Sequence, residues 1–451
     1  MNDRRKVLDL FEEQKELVNQ KVTEGIEKHR KGNGKIKIVD KNGVAVSEAV
    51  IRLTQKTHEF RFGANLFMLD ELETEEKNEK YKKYFSDLFN MATLPFYWDT
   101  LEPERGHPRY AKDSKKVYRR PATDLCIEFC EKHGIEPREH ALAYEAFFPK
   151  WLYGASTDEI KRELERRYAE ISDRYAEKIP TIEVTNEMEW AKGKTDFYDD
   201  PDYIEWCFSL AEKYFPNNQL VINEHTGLCW TDRCRATDKY YAYTEAAMLK
   251  GARIDAIGMQ FHLFNRRENE YKATRSTLNP ESLYKHMDLY SNFKKPLQIT
   301  EVTVPAYSWE AEDEDLQAEI IEKLYSVWFS HPSVEQIVYW NLVDGYAHLW
   351  DPDPAKIAAS QGDMTIGENY YYGGLLRFDL SPKPAYFKIQ ELIQKRWHTE
   401  AEIVTDENGY AEFRGFYGDY DVTVIYNGKE VPAKIKLSEY DDNKKKIICS
   451  I

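Results

Sequence analysis

The sequence predicts an α/β protein: a (β/α)8 TIM barrel with a small all-β domain assembled from both chain ends. Three observations carry this. Eight short runs rich in β-branched and aromatic residues lie at 58–66, 86–93, 136–143, 180–186, 219–223, 253–260, 296–301 and 335–341, and most are followed by helical periodicity. The two ends instead alternate apolar and polar residues around Asn-Gly turns at Asn42-Gly43, Asn408-Gly409 and Asn427-Gly428. Finally, Glu187 and Glu301 close the fourth and seventh runs. The C-terminal end of a strand is where such a barrel delivers catalytic groups.

In chain order, residues 1–33 read as an N-terminal helix, amphipathic over 3–31 with Leu8, Leu10, Phe11 and Val18 as its apolar positions. Residues 34–56 supply two strands of the β domain, 57–397 the barrel, and 398–451 the remaining strands. Helical periodicity is clearest at 162–174, 203–214, 238–250 and 315–329. Another helix opens at Pro121 with Asp124 and stops at His133, where Gly134 suits the left-handed residue beyond a helix end. A doubly wound open sheet is the competing arrangement, but no Gly-rich phosphate loop follows the first run.

Composition narrows the function classes. The 451 residues suffice for one large barrel and an accessory domain, and 42% apolar with 31% charged residues describes a soluble globular chain. A net charge of −16 argues against nucleic acid or an anionic membrane as partner. No apolar run resembles a signal-peptide core or spans a bilayer, so the expected location is cytoplasmic, or secreted if a leader was removed. Cys126, Cys130, Cys207, Cys229, Cys234 and Cys449 fit no zinc-ligand spacing and read as free thiols. The histidines form no metal cluster either; no metal and no cofactor are expected.

Two strand-end carboxylates delivered to one pocket are the equipment for cleaving a glycosidic bond. One must hold a proton at neutral pH while the other stays ionised. Asn186, directly before Glu187, is placed to hold a sugar hydroxyl. Gln260 and His262 end the sixth run, beside Glu301, where an imidazole is expected to fix the carboxylate and keep its pKa low. Aromatics at 14% suit the stacking of flat sugar faces.

These motifs together resemble glycoside hydrolase family 10, best known for endo-1,4-β-xylanases. Thr185-Asn186-Glu187 matches the family's acid/base motif and Gln298-Ile299-Thr300-Glu301 its nucleophile motif. Ile257-Gly258-Met259-Gln260-Phe261-His262 resembles its Gly-x-Gln-x-His strand, Glu102-Pro103-Glu104-Arg105-Gly106 its Glu-Pro-x-x-Gly loop, and Pro382-Lys383-Pro384-Ala385-Tyr386 its last-helix motif. The resemblance implies a retaining mechanism with Glu187 as acid/base and Glu301 as nucleophile. It also implies a substrate-binding set of Asn186, His140, Gln260, His262, Trp98, Asn223, Trp340 and Trp350; Tyr144 and Glu145, which depart from the family's pattern after His140, complete the expected set. Trp151 resembles a family loop Trp, Glu224 stands where the family has Asp, and His225 is a rim candidate; Glu189 reads as a surface ion-pair partner.

The chain departs from the family after the second run. Leu94-Pro95-Phe96-Tyr97-Trp98 replaces a motif whose Asn and Lys grip the sugar, so Phe96 and Tyr97 are expected to form an apolar wall. The partner expected is therefore an oligosaccharide or small glycoside: a retaining hydrolase of β-linked xylo-oligosaccharides or related β-glycosides. The alternatives are an endo-1,4-β-xylanase acting on polymeric xylan and a catalytically silent carbohydrate-binding barrel.

The β domain resembles an Ig-like sandwich of the carboxypeptidase-regulatory type, through Thr405-Asp406-Glu407-Asn408-Gly409 with Phe413 and Gly418-Asp419-Tyr420-Asp421-Val422. Two N-terminal strands are unstable alone, so residues 35–54 should pair with strands beyond residue 400, burying Val50 and Leu53 against Phe413 and Val422.

Overall fold

The computed structural model describes residues 3–189, 195–349 and 361–448. Eight parallel strands close into a barrel: β3 (Arg61–Asn65), β4 (Met91–Pro95), β5 (Glu136–His140), β6 (Thr181–Asn186), β7 (Gln219–Glu224), β8 (Ala256–His262), β9 (Leu297–Thr303) and β10 (Val334–Tyr339), with β10 pairing back onto β3. Helices such as Thr157–Tyr175, Tyr203–Tyr214, Lys239–Leu249 and Ala311–Ser330 cover its outer face. The helix Thr123–His133 ends on Gly134 at φ 65°, as its sequence requires.

The second barrel strand differs from expectation. Residues 86–88 finish the helix Glu75–Leu88, whose buried Tyr81, Phe85 and Leu88 recur at helical spacing. The strand starts at Met91 and runs through Pro95. This shift sends Phe96 into the core, 5.7 Å from the Tyr175 ring, and leaves only Tyr97 facing the pocket.

Both chain ends build the β domain. One sheet has the order β12-β1-β15, from β1 (Lys31–Val39), β12 (Tyr410–Phe416) and β15 (Lys444–Ile448); the other has β11-β2-β13-β14, from β2 (Val50–Gln55), β11 (Glu400–Val404), β13 (Gly418–Tyr426) and β14 (Lys429–Leu437). Ile36 and Phe413 from the first sheet share a core with Leu53 and Val422 from the second. Three expectations need correction. Val50 is only half-buried; Ile51 and Leu53 point inward, because strand parity puts Val50 on the other face. The Asn42-Gly43 turn closes through Asp40 and Val44 (2.8 Å), yet β1 and β2 diverge into different sheets instead of pairing. The N-terminal helical segment stops at His29, and β1 starts at Lys31: Gly32 and Gly34 lie against the Tyr417 and Phe413 rings, where a Cβ would come within 2.5 Å and 2.3 Å.

Candidate active site

The pocket opens at the C-terminal ends of the barrel strands, a cavity of about 900 Å³ lined by Glu187, Glu301, Asn186, His140, Gln260 and His262, among others. Glu301, on β9, is buried. Its Oε1 accepts from Asn223 Nδ2 (3.2 Å), and its Oε2 lies 3.2 Å from His262 Nε2. Glu187 directly follows β6 with a left-handed φ of 49°, and its carboxylate accepts from the Tyr144 hydroxyl. Its backbone carbonyl accepts from Tyr198 (2.9 Å). Held at both ends, Glu187 has a fixed direction into the cavity.

Asn223 organises the floor. Its amide donates to Asn186 (3.0 Å), Glu183 (3.1 Å) and Glu301, while its Oδ1 accepts from Thr300 (2.7 Å). β7 and β9 are not sheet neighbours, since β8 lies between them. The reach is possible because β8 carries Gly258 there, and a Cβ on Gly258 would fall 2.5 Å from Asn223 Oδ1. Asn186 Oδ1 also accepts from Gln260 Nε2 (3.1 Å), which leaves the Asn186 amide nitrogen as the end available to a ligand.

Electrostatics under the pocket differ from the sequence expectation. Burial pushes the Glu301 carboxyl well above the ordinary range, with His140 and Arg138 opposing and Glu183 and Glu187 adding to the rise. His262 does not hold it down, because burial drives that imidazole to about 4 and leaves it neutral. Burial also acts against the charge on His140, but Glu183, 2.8 Å from its Nδ1, outweighs it and raises the imidazole. Burial would raise Glu183, yet His140 and Arg138 hold it low. His140, Glu183 and Glu301 bring one ligand atom each within 4.8 Å of one another, a spacing able to hold a metal ion. Arg138 and His140 already neutralise Glu183 there.

Other predicted residues divide. Tyr144 and Trp340 line the cavity with His225, whereas Asn223 lies beneath it. Trp98 does not reach it: the ring is buried against Phe148 and Trp151, with Nε1 donating to Glu102 (2.8 Å). Glu145 is buried and accepts from the Thr195 amide (2.6 Å), so it ties loops together. Trp151 likewise packs, donating to the Glu102 carbonyl at 3.0 Å. Glu224 accepts from Tyr243 (2.6 Å), and burial raises it to about 8. Glu189 pairs with Lys239 (2.8 Å). Trp350 and Cys449 lie outside the described residues. Sequence reasoning missed Glu183, Arg138, Arg119, Arg120, His348 and Glu368. The first two carried a signal, charges inside strand runs that must point into the barrel. The others sit in loops without periodicity.

The sequence pattern defining Glycosyl hydrolase family 10 matches residues 54–392. The chain belongs to this family. Curated relatives include "Anti-sigma-I factor RsgI6" of Acetivibrio thermocellus, 27% identical over 90% of this chain and 46% of the relative. "Endo-1,4-beta-xylanase B" of Thermotoga neapolitana is 25% identical over 70% of this chain and 84% of its own. The chain spans under half the length of the first of these and 32% of "Endo-1,4-beta-xylanase 2" of Arabidopsis thaliana. Among solved structures, xylanase 10B from Thermotoga petrophila in complex with xylobiose superposes with a TM-score of 0.57 at 21% identity, covering 75% of this chain and 95% of that one. The family 10 barrel is thus shared while four residues in five differ. Among the described residues no helix is long and apolar enough to cross a membrane.

Proposed function

We propose that this family 10 chain is a retaining hydrolase of β-linked xylo-oligosaccharides or related β-glycosides, with the barrel at 57–397 as its catalytic unit. The observation that carries the reading is the presence of two strand-end carboxylates, Glu187 and Glu301, on one cavity. In the first step Glu301 Oε attacks the anomeric carbon while Glu187 gives its proton to the departing glycosidic oxygen. In the second, Glu187 takes a proton from water, which displaces Glu301 and restores the original anomeric configuration. Asn186, fixed by Asn223 and Gln260, is suited to grip a sugar hydroxyl. Trp340 and Tyr144 supply aromatic surface.

The division of labour is testable. Glu301→Ala should abolish covalent trapping by a 2-fluoro glycoside; Glu187→Ala should slow substrates with poor leaving groups most, since activated ones need little acid. Inverted configuration in the product, read by NMR, would remove the retaining assignment.

An endo-xylanase reading is favoured by the names of the relatives. It competes with the altered stretch 94–98, where Tyr97 replaces a polar grip. We expect higher kcat/KM on aryl β-xylobiosides and short oligosaccharides than on unsubstituted polymeric xylan. Preference for the polymer would overturn that expectation, and inactivity on every member of the panel would leave a binding barrel.

A further inference from the structure

The glutamate chemistry leaves part of the cavity wall unexplained. Arg119 and Arg120 line it, and both are buried, with 3% and 7% exposure. A buried guanidinium ordinarily pairs with a carboxylate, because an unpaired buried charge is costly. Among the described residues neither arginine forms an ion pair. Arg119 donates to Asn341 Oδ1 and to the Tyr346 carbonyl (2.7 Å). Among the described residues the Arg120 guanidinium makes one hydrogen bond, from Nη1 to the Arg119 carbonyl at 3.0 Å, while its backbone N–H donates to the Val117 carbonyl. Among the described residues the Nε of each is buried without a partner. A guanidinium carries five N–H donors, so most of those on Arg120 are unspent.

Aromatic rings pack against both charges. The Arg120 guanidinium sits 3.7 Å from the Tyr97 ring centroid, and Phe67 lies within 5.3 Å of Arg119 and 5.4 Å of Arg120. Ring faces attract a cation without consuming its N–H groups. His348 joins the same wall, packed 6.1 Å from Phe147. Glu368, the acid on this side, accepts from Asn341 (3.5 Å); burial raises its carboxyl and the Arg119 charge opposes the rise, yet among the described residues it forms no ion pair with either arginine. The wall is rich in donors and short of acceptors, in a chain of net charge −16.

We propose that Arg119 and Arg120, with His348, form a subsite for a carboxylate carried by the glycan, so that the pocket prefers acidic β-glycosides to neutral ones. A carboxylate offers two acceptor oxygens to the forked guanidinium edge, which a sugar hydroxyl cannot match. This inference rests on the glycosidase reading only for the ligand being a glycan.

The test is calorimetric binding to full-length Glu301→Gln, which does not require turnover. Two matched pairs locate the carboxylate: phenyl β-D-glucuronide against phenyl β-D-glucoside, for an acid on the ring itself, and phenyl β-xylobioside with and without a glucuronosyl branch. In at least one pair the acidic member should bind about tenfold tighter or better, equivalent to roughly 1.4 kcal/mol. Arg120→Gln should cut that preference about tenfold, and Arg120→Lys should keep part of it. His348→Gln, at the edge of the wall, should reduce it as well, and this holds even if the arginine variants fail to fold. Acidic members bound no better than neutral ones overturn the proposal. So does a preference that survives Arg120→Gln, as a purely structural arginine would leave it. Failure of the glycosidase reading shows separately, as absence of hydrolysis of all four probes by the unmodified chain.

Discussion

Glu301 is held by contacts that pull its proton affinity in opposite directions. Burial raises it, helped by Glu183 and Glu187, while His140 and Arg138 oppose. In its proposed role as nucleophile Glu301 attacks only when ionised, so kcat/KM should fall as pH drops through that raised value. The acid limb should lie above the 4.5 of an ordinary glutamate. A pH profile with its limb at or below that value would contradict the assignment. Linkage gives a second readout. Between the unfolded and the raised folded pKa, the folded state binds the extra proton, so this group's contribution to stability declines as pH rises. Glu301→Gln removes that loss. It should raise stability at pH 7 by about 1 kcal/mol, by less at pH 4, and lower kcat at least about a thousandfold. Thermal melts at the two pH values, beside the kinetics, check both.

At the scale of single elements, β8 matters for the side chain it lacks. Gly258→Ala would set a Cβ 2.5 Å from Asn223 Oδ1 and 2.9 Å from the Ile222 carbonyl, so something must move. The expected cost is about 1–3 kcal/mol. Because Asn223 holds both Asn186 and Glu301, kcat/KM should fall on the order of tenfold or more as those groups lose alignment. A lower melting temperature with unchanged kinetics would separate this contact from the site. The same strand shows what was legible beforehand. Gln260 and His262 were readable because period 2 and a strand-end position define which side chains enter the pocket. The start of β4 was misread because Phe85 and Leu88 satisfy helix and strand patterns alike over a short window. Phe96 and Trp98, expected at the pocket from the family motif that residues 94–98 replace, are both core. Arg119 and Arg120 could not be read at all: they lie in a long loop, where no periodicity says which side chains turn inward.

For the whole molecule, joining the two chain ends makes the β domain inseparable from the barrel. Pairing across the ends was legible, since neither set of strands could stand alone, although which residues of β2 face inward was not. The contacts at the junction are aromatic and cationic. Phe329, on a barrel helix, stacks on Trp397 at 4.3 Å, and Arg30 lies 4.7 Å from the Phe60 ring while donating to the Val334 carbonyl at 2.7 Å. The Arg30 carbonyl in turn accepts from Tyr417 (3.1 Å), and the Tyr417 carbonyl from Glu59 (3.0 Å), so backbone bonds run from β domain to barrel. Removing residues 398–451 would strip β1 and β2 of every strand partner in their sheets and uncover Phe329, which packs on Phe416. Exposed edges and apolar rings of this kind drive aggregation. The full chain should therefore unfold in one cooperative calorimetric transition. The chain ending at residue 397 should be insoluble or melt at least about 5 °C lower. Two resolved transitions in the full chain, or a truncated barrel with an unchanged melting temperature, would show that the β domain is an independent attachment.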